Sequence, residues 1–172
     1  RDAPPTACSP ATAARFASPD TVDASPARRA QAATSWAGEV SVSTAAGPVR
    51  IRHPRLDMGN AADILDGNET TLMRGARDNP FRFEIAYARP ASVAAIEFVL
   101  GYMPSYGIAV TAIDGAGRRH AIDGRFQGVP GVVPHPRLAF ASPVADVREI
   151  HVTIDASRPQ PVEGAHIHVY EV

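Results

Sequence analysis

After residue 38, apolar side chains return at every second position in short runs that Gly, Pro and Asp cut apart. The clearest run sets Phe81, Phe83, Ile85 and Tyr87 on one side, with Arg82, Glu84 and Ala86 between them. A period of two marks a half-buried strand, because successive strand side chains point to opposite faces. Val40 and Val42 alternate in the same way, as do Val49 and Ile51 beyond a turn at Ala46-Gly47-Pro48. Residues 93–100 predict a more apolar strand, with Ile96, Phe98 and Leu100 on one face. Residues 108–113 predict another, ending in the turn Asp114-Gly115-Ala116-Gly117. Residues 120–122, 136–140, 147–154 and 166–172 complete the set. Closely spaced strands with almost no helical periodicity predict an all-β fold, an antiparallel β-sandwich of the jelly-roll kind.

Residues 1–37 read as an N-terminal strap or linker carrying one short helix, and residues 38–172 as the folded domain. Residues 1–24 are mostly Ala, Pro, Ser, Thr and Asp, with little beyond Phe16 to bury. Ser25-Pro26 suits a helix start, with Ser as N-cap and Pro in the first turn, and residues 28–36 then favour helix up to Gly38. Trp36, the single tryptophan, is expected to anchor that helix on the core. A chain of 172 residues is long enough to bury a real core.

Composition removes several classes of function. The net charge of −1 lacks the basic footprint of a nucleic-acid or anionic-membrane binder. No apolar run approaches the roughly 20 residues that a transmembrane helix needs. No hydrophobic leader opens the chain, so any signal peptide is expected to lie outside this sequence. Cys8 is alone and cannot close an internal disulfide, and residues 2–7 before it are not an apolar lipobox. All 17 basic residues are Arg and none is Lys, which reads as codon bias and not as a marked site.

Asp66-Gly67-Asn68-Glu69-Thr70-Thr71 gathers a tight turn and several oxygen ligands in six residues. Gly67 can take positive φ between two residues that favour turns. Carboxylate, amide and hydroxyl oxygens are what a hard cation such as Ca²⁺ wants. The same residues also make an ordinary metal-free turn, with Asp66 and Asn68 bonding their own backbone. Asn68-Glu69-Thr70 is in addition a glycosylation sequon.

With the strands in place, four stretches resemble a discoidin domain (coagulation factor 5/8 type C) and the related galactose-binding-like carbohydrate-binding modules. They are residues 62–71, with their apolar-Asp-Gly-Asn-x-x-Thr pattern; residues 80–87; Tyr102-Met103-Pro104 with the strand running to Asp114-Gly115; and the closing strand, residues 166–172. The likeness spans roughly residues 38–172. It implies a structural calcium held by Asp66, Asn68, Thr71 and Glu171, with backbone carbonyls near Ala62 and Asp66. That ion would fasten the last strand to the first loop. It also implies a non-catalytic module that binds a glycan or cell-surface polysaccharide. Such a module would serve as the accessory domain of a larger secreted, periplasmic or cell-surface protein, able to meet another domain or chain of it.

The resemblance breaks where galactose-binding members hold their sugar. Their Trp-His pair falls on Met73-Arg74, and their Arg on Ser105. The loop groups left for a glycan are Arg74, Arg77, Tyr102 and Tyr106. A structural or protein-interaction domain of the same fold, without a sugar site, is the competing reading. His166-x-His168 places two imidazoles on one strand face, but a catalytic metal wants a third protein ligand and an open position. No nucleophile elbow, P-loop or dinucleotide fingerprint is present, and no catalytic residue is assigned.

Overall fold

The computed structural model describes residues 36–76, 78–156 and 166–172. Ten strands follow in chain order: β1 (Gly38–Thr44), β2 (Gly47–His53), β3 (Leu56–Gly59), β4 (Met73–Gly75), β5 (Phe81–Glu97), β6 (Val99–Leu100), β7 (Ser105–Asp114), β8 (Arg119–Gln127), β9 (Arg137–Ala156) and β10 (His168–Glu171). A short 3₁₀ turn at Ala61–Leu65 lies between β3 and β4. One sheet has the order β1-β2-β5-β9-β7-β8 and the other β3-β4-β10-β6. The pairings between these neighbours are antiparallel. The fold is therefore the antiparallel sandwich that the alternation predicts.

The core sits between the sheets. Ile51 from β2, Phe81, Phe83 and Ile85 from β5, Ile108 and Val110 from β7, and Val152 and Ile154 from β9 are all buried. The smaller sheet and the 3₁₀ turn answer with Met73, Leu100, Val169, Ala61 and Ile64. Burying one such side chain is worth about 1.5–3 kcal/mol, so two inward-facing rows carry most of the stability.

Two pairs of expected strands are single strands. Residues 81–87 and 93–97 join through Ala88-Arg89-Pro90 as β5, and residues 137–140 and 147–154 join as β9. The pair runs from Phe81↔Ile154 to Glu97↔Arg137, with register shifts between Ala86 and Ala91, Ala91 and Val93, and Val93 and Ala95. Such bulges bend a strand and let it leave one sheet for another. Phe98 N donates to Pro136 O at 3.0 Å and Leu100 N to Pro134 O at 3.0 Å, carrying the pairing on to β6 in the second sheet. Pro90 is tolerated because it falls among the bulges, where a missing N–H costs no ladder bond.

The expected helix at residues 25–36 lies outside the described residues apart from Trp36. That side chain is half-buried in irregular backbone two residues before β1. Among the described residues no helix is long and apolar enough to cross a membrane.

Candidate functional site

The turn at Asp66 follows directly from the 3₁₀ turn. Asn60 caps that turn, its Oδ1 accepting Ala62 N at 3.0 Å while Asp63 Oδ2 accepts Asn60 N at 3.0 Å. Gly67 then takes φ +72° and reverses the chain. Asp66 Oδ1 accepts Asn68 N at 2.8 Å, and Asn68 Oδ1 accepts both Thr70 N at 3.1 Å and Thr70 Oγ1 at 2.7 Å. Thr71 Oγ1 lies 2.9 Å from Asp66 Oδ2 and 2.8 Å from Asn68 O. From the far end of the chain, Glu171 Oε2 accepts Gly67 N at 3.2 Å, and Val172 N donates to Ile64 O at 2.9 Å. The structure thus brings Asp66, Asn68, Thr71 and Glu171 to one loop, beside the turn that holds Ala62.

This donor set is all oxygen. Burial and then the charge of Asp66 raise the Glu171 carboxyl above its ordinary value, while the Gly67 N–H works against that rise. Two carboxylates with amide and hydroxyl oxygens around a tight turn fit a hard cation and not a soft one. Among the described residues no group of three or more His, Cys, Asp or Glu could hold a metal ion, so hydroxyl, amide and backbone oxygens would supply most of the coordination.

Beside the loop opens a cleft of about 420 Å³. Its floor is buried Leu100, and its walls are Glu69, Tyr102, Tyr170 and the 131–133 loop. Tyr102 is 48% exposed, and Val132 and Val133 are more than half exposed. Tyr170 points outward from β10 because Val169 before it is buried. Close backbone packing shapes the rim. A Cβ at Gly101 would meet the Cβ of His168 at 2.9 Å, and one at Gly128 would collide with the Met103 carbonyl. Gly128 N donates to Pro104 O at 3.1 Å, which ties the valine loop to the segment bearing Tyr102.

The expected ligand groups separate. Tyr102 lines the cleft. Tyr106 does not, and here the sequence expectation is corrected: it is 3% exposed and stacks on Phe126 with ring centroids 5.3 Å apart. It follows the period of two that also buries Ile108 and Val110, so it is a core residue. Arg74 is held by Asp57 through two bonds, Nε–Oδ1 at 2.9 Å and Nη2–Oδ2 at 3.2 Å. Arg77 lies outside the described residues. His166 faces Asp57 at 3.5 Å, and His168 stands edge-on to Tyr170 with centroids 6.2 Å apart. His151, which pairs with Glu149 and Glu84 on the larger sheet, joins neither. Sequence reasoning missed Tyr170, Glu69 and the two valines. The signals available were the outward phase of Tyr170 beside Val169 and an apolar pair set between Gly131 and Pro134.

No protein-family model matches the chain, and no curated sequence does. Solved structures do. The family 32 carbohydrate-binding module of Clostridium perfringens NanJ, in complex with galactose, superposes with a TM-score of 0.51 at 17% identity, over 78% of this chain and 96% of that one. CpGH89CBM32-4 from the same organism, in complex with GlcNAc-α-1,4-galactose, gives 0.54 at 17% identity over 77% and 92%. The fold is that of the family 32 carbohydrate-binding modules. SpGH29 matches at 0.52 and 18% identity, with 72% of this chain covered but only 25% of that one, so there the same sandwich is a fraction of a larger polypeptide. Within this discoidin-type, galactose-binding-like fold, the positions expected to hold a Trp-His pair carry fully buried Met73 and the Asp57-bound Arg74.

Proposed function

We propose that the chain is a non-catalytic carbohydrate-binding module that holds a glycan in the cleft between Tyr102, Tyr170, Glu69 and the valine loop. The observation that carries this reading is half-exposed Tyr102 on an amphipathic cleft beside the Asp66–Thr71 loop. A pyranose has an apolar face and a polar rim. A tyrosine ring covers the first, and a carboxylate accepts hydroxyls of the second. Small-ligand sites commonly have this form, an apolar lining with a few convergent polar groups. The fold's occurrence in sugar-complexed modules, and as a quarter of SpGH29, supports an accessory role in a larger protein, and we propose that this protein is exported or belongs to the cell envelope.

Asp66, Asn68, Thr71 and Glu171, with the Ala62 carbonyl, would hold a calcium ion. When bound, it would supply positive charge between two carboxylates and fasten β10 to the loop. The test for the sugar is a glycan array followed by titration calorimetry with Tyr102→Ala. The variant should weaken binding about tenfold, roughly 1.4 kcal/mol, without lowering the unfolding midpoint. Unchanged affinity would move the site elsewhere. An array without hits would favour the protein-interaction reading, which the exposed Val129, Val132 and Val133 support.

A further inference from the structure

The cleft has an asymmetry of charge that bears on which glycans enter it. Its lining residues are aromatic, aliphatic or glycine except for one, Glu69. Glu69 is exposed and forms no hydrogen bond or ion pair among the described residues. It does not stand alone in sign, since Asp66 and Glu69 both act on Glu171 as like charges. No cation lines the cleft among the described residues. Arg74, on the strand beside β10, spends its guanidinium on both oxygens of Asp57. Burial, and then the Arg74 charge, lower the proton affinity of His168, the residue paired with Arg74 across β4 and β10.

Resting on the sugar-binding reading, we infer that this cleft selects uncharged glycans and turns away those bearing uronate or sulfate, with Glu69 as the residue that discriminates. An ionised carboxylate only accepts hydrogen bonds, so it suits the adjacent hydroxyls of a neutral sugar, and the charge-assisted bond is stronger than one to a neutral acceptor. The carboxylate of a uronate brings a second acceptor and a second negative charge into the same small space. Specificity here comes from a repulsive group as much as from an attractive one. The calcium proposed for the neighbouring loop would be matched by Asp66 and Glu171, which leaves the Glu69 charge uncompensated among the described lining residues. Like charges a few ångströms apart then weaken binding by about tenfold even with surface screening.

Affinity electrophoresis tests this with defined polysaccharides. The intact chain and Glu69→Gln are run through gels holding galactan, mannan or β-glucan, and through gels holding polygalacturonate or alginate, at low and at physiological salt. The native chain should be retarded by at least one neutral polymer, independently of salt, and by neither uronate polymer. Glu69→Gln should bind the neutral polymer a few-fold more weakly, through loss of the charged acceptor. It should also narrow the neutral-to-uronate ratio at least about fivefold. Because Glu69 is an exposed loop side chain, the unfolding midpoint of the variant should match the native one, and that measurement accompanies the gels. Stronger retardation by a uronate polymer, or an unchanged ratio in Glu69→Gln, overturns the inference while leaving sugar binding standing. Retardation by no polymer overturns both.

Discussion

Gly59 and Gly67 share a backbone conformation, with φ of +74° and +72°, but not an environment. A Cβ at Gly59 would run into the Leu72 carbonyl, the group that accepts Asn60 N at 3.2 Å. A Cβ at Gly67 would meet nothing within 4 Å. Left-handed backbone alone costs a non-glycine residue about 1–2 kcal/mol. Gly67→Ala should therefore cost about that much, and Gly59→Ala about 3 kcal/mol or more, because backbone must move as well. Urea unfolding of the two variants checks this, and equal losses would mean that the close approach at Leu72 is not felt. The same residue scale separates the two tyrosines. Tyr106 is in phase with Ile108, Val110 and Ala112, all buried, but a strand expected to begin only at residue 108 leaves it among the loop groups, whereas β7 starts at Ser105. Tyr102 has no such phase, and its exposure depends on the 128–133 loop packed against it. Glu69 carried no sequence signal as a cleft residue either. Its position follows from where β6 and β10 bring Leu100 and Tyr170.

Among the elements, the strong alternation of residues 81–87 and 108–113 translated directly into buried rows, because a half-buried strand must repeat every two residues. The continuity of β5 and β9 was not legible. Pro90, with small and exposed neighbours, reads as a turn, and only pairing with a bulged partner keeps the chain extended there. β3 and β4, four and three residues long, are too short to show a period. The β7–β8 turn was recognised as a turn but not as a buried polar centre. Asp114 is 4% exposed and accepts Ala116 N and Arg118 N at 3.0 Å each, Arg118 Nε at 2.7 Å and His120 Nε2 at 3.1 Å. The His120 bond, ahead of those from Arg118 and the backbone, holds its carboxyl far below the usual carboxylate range. A depressed folded-state value stabilises the protein above the unfolded value and loses that benefit as pH falls. Asp114→Asn should therefore lower the melting midpoint by several degrees at pH 7. The gap from the native chain should close below about pH 4, where the unfolded carboxylate itself takes up a proton. Melting curves across that range decide it, and a gap that stays constant with pH would mean that packing, not charge, makes the turn.

For the molecule as a whole, the decisive contact joins the last strand to the Asp66 turn, far away in sequence. Glu171 reaches Gly67 across 104 residues, and Val172 reaches Ile64, so the last strand closes the smaller sheet over the first loop. Closing so long a loop is costly in chain entropy, and one 3.2 Å bond to a carboxylate of raised proton affinity is a modest return. The sign of its pH dependence follows. A carboxyl whose folded value is raised contributes stability below its unfolded value and loses it as pH climbs through the folded one. In EDTA, the contribution of Glu171 to stability should therefore fall as pH climbs above the ordinary carboxyl value of about 4, because its ionised form is the one that burial disfavours. Calcium would reverse that sign, since it binds only ionised carboxylates and binds them in the folded state alone. At a hundredfold excess over its dissociation constant it would add about 2.7 kcal/mol, a midpoint rise of roughly 5–10 °C for a domain of this size. We expect the midpoint in Ca²⁺ to pull away from that in EDTA as pH rises from 4 to 7, and Asp66→Ala to abolish the separation. Identical melting curves in millimolar Ca²⁺ and in EDTA at pH 7 would remove the ion, leaving the loop to the bonds of Asp66 and Asn68 with its backbone and hydroxyls and to the Glu171 contact.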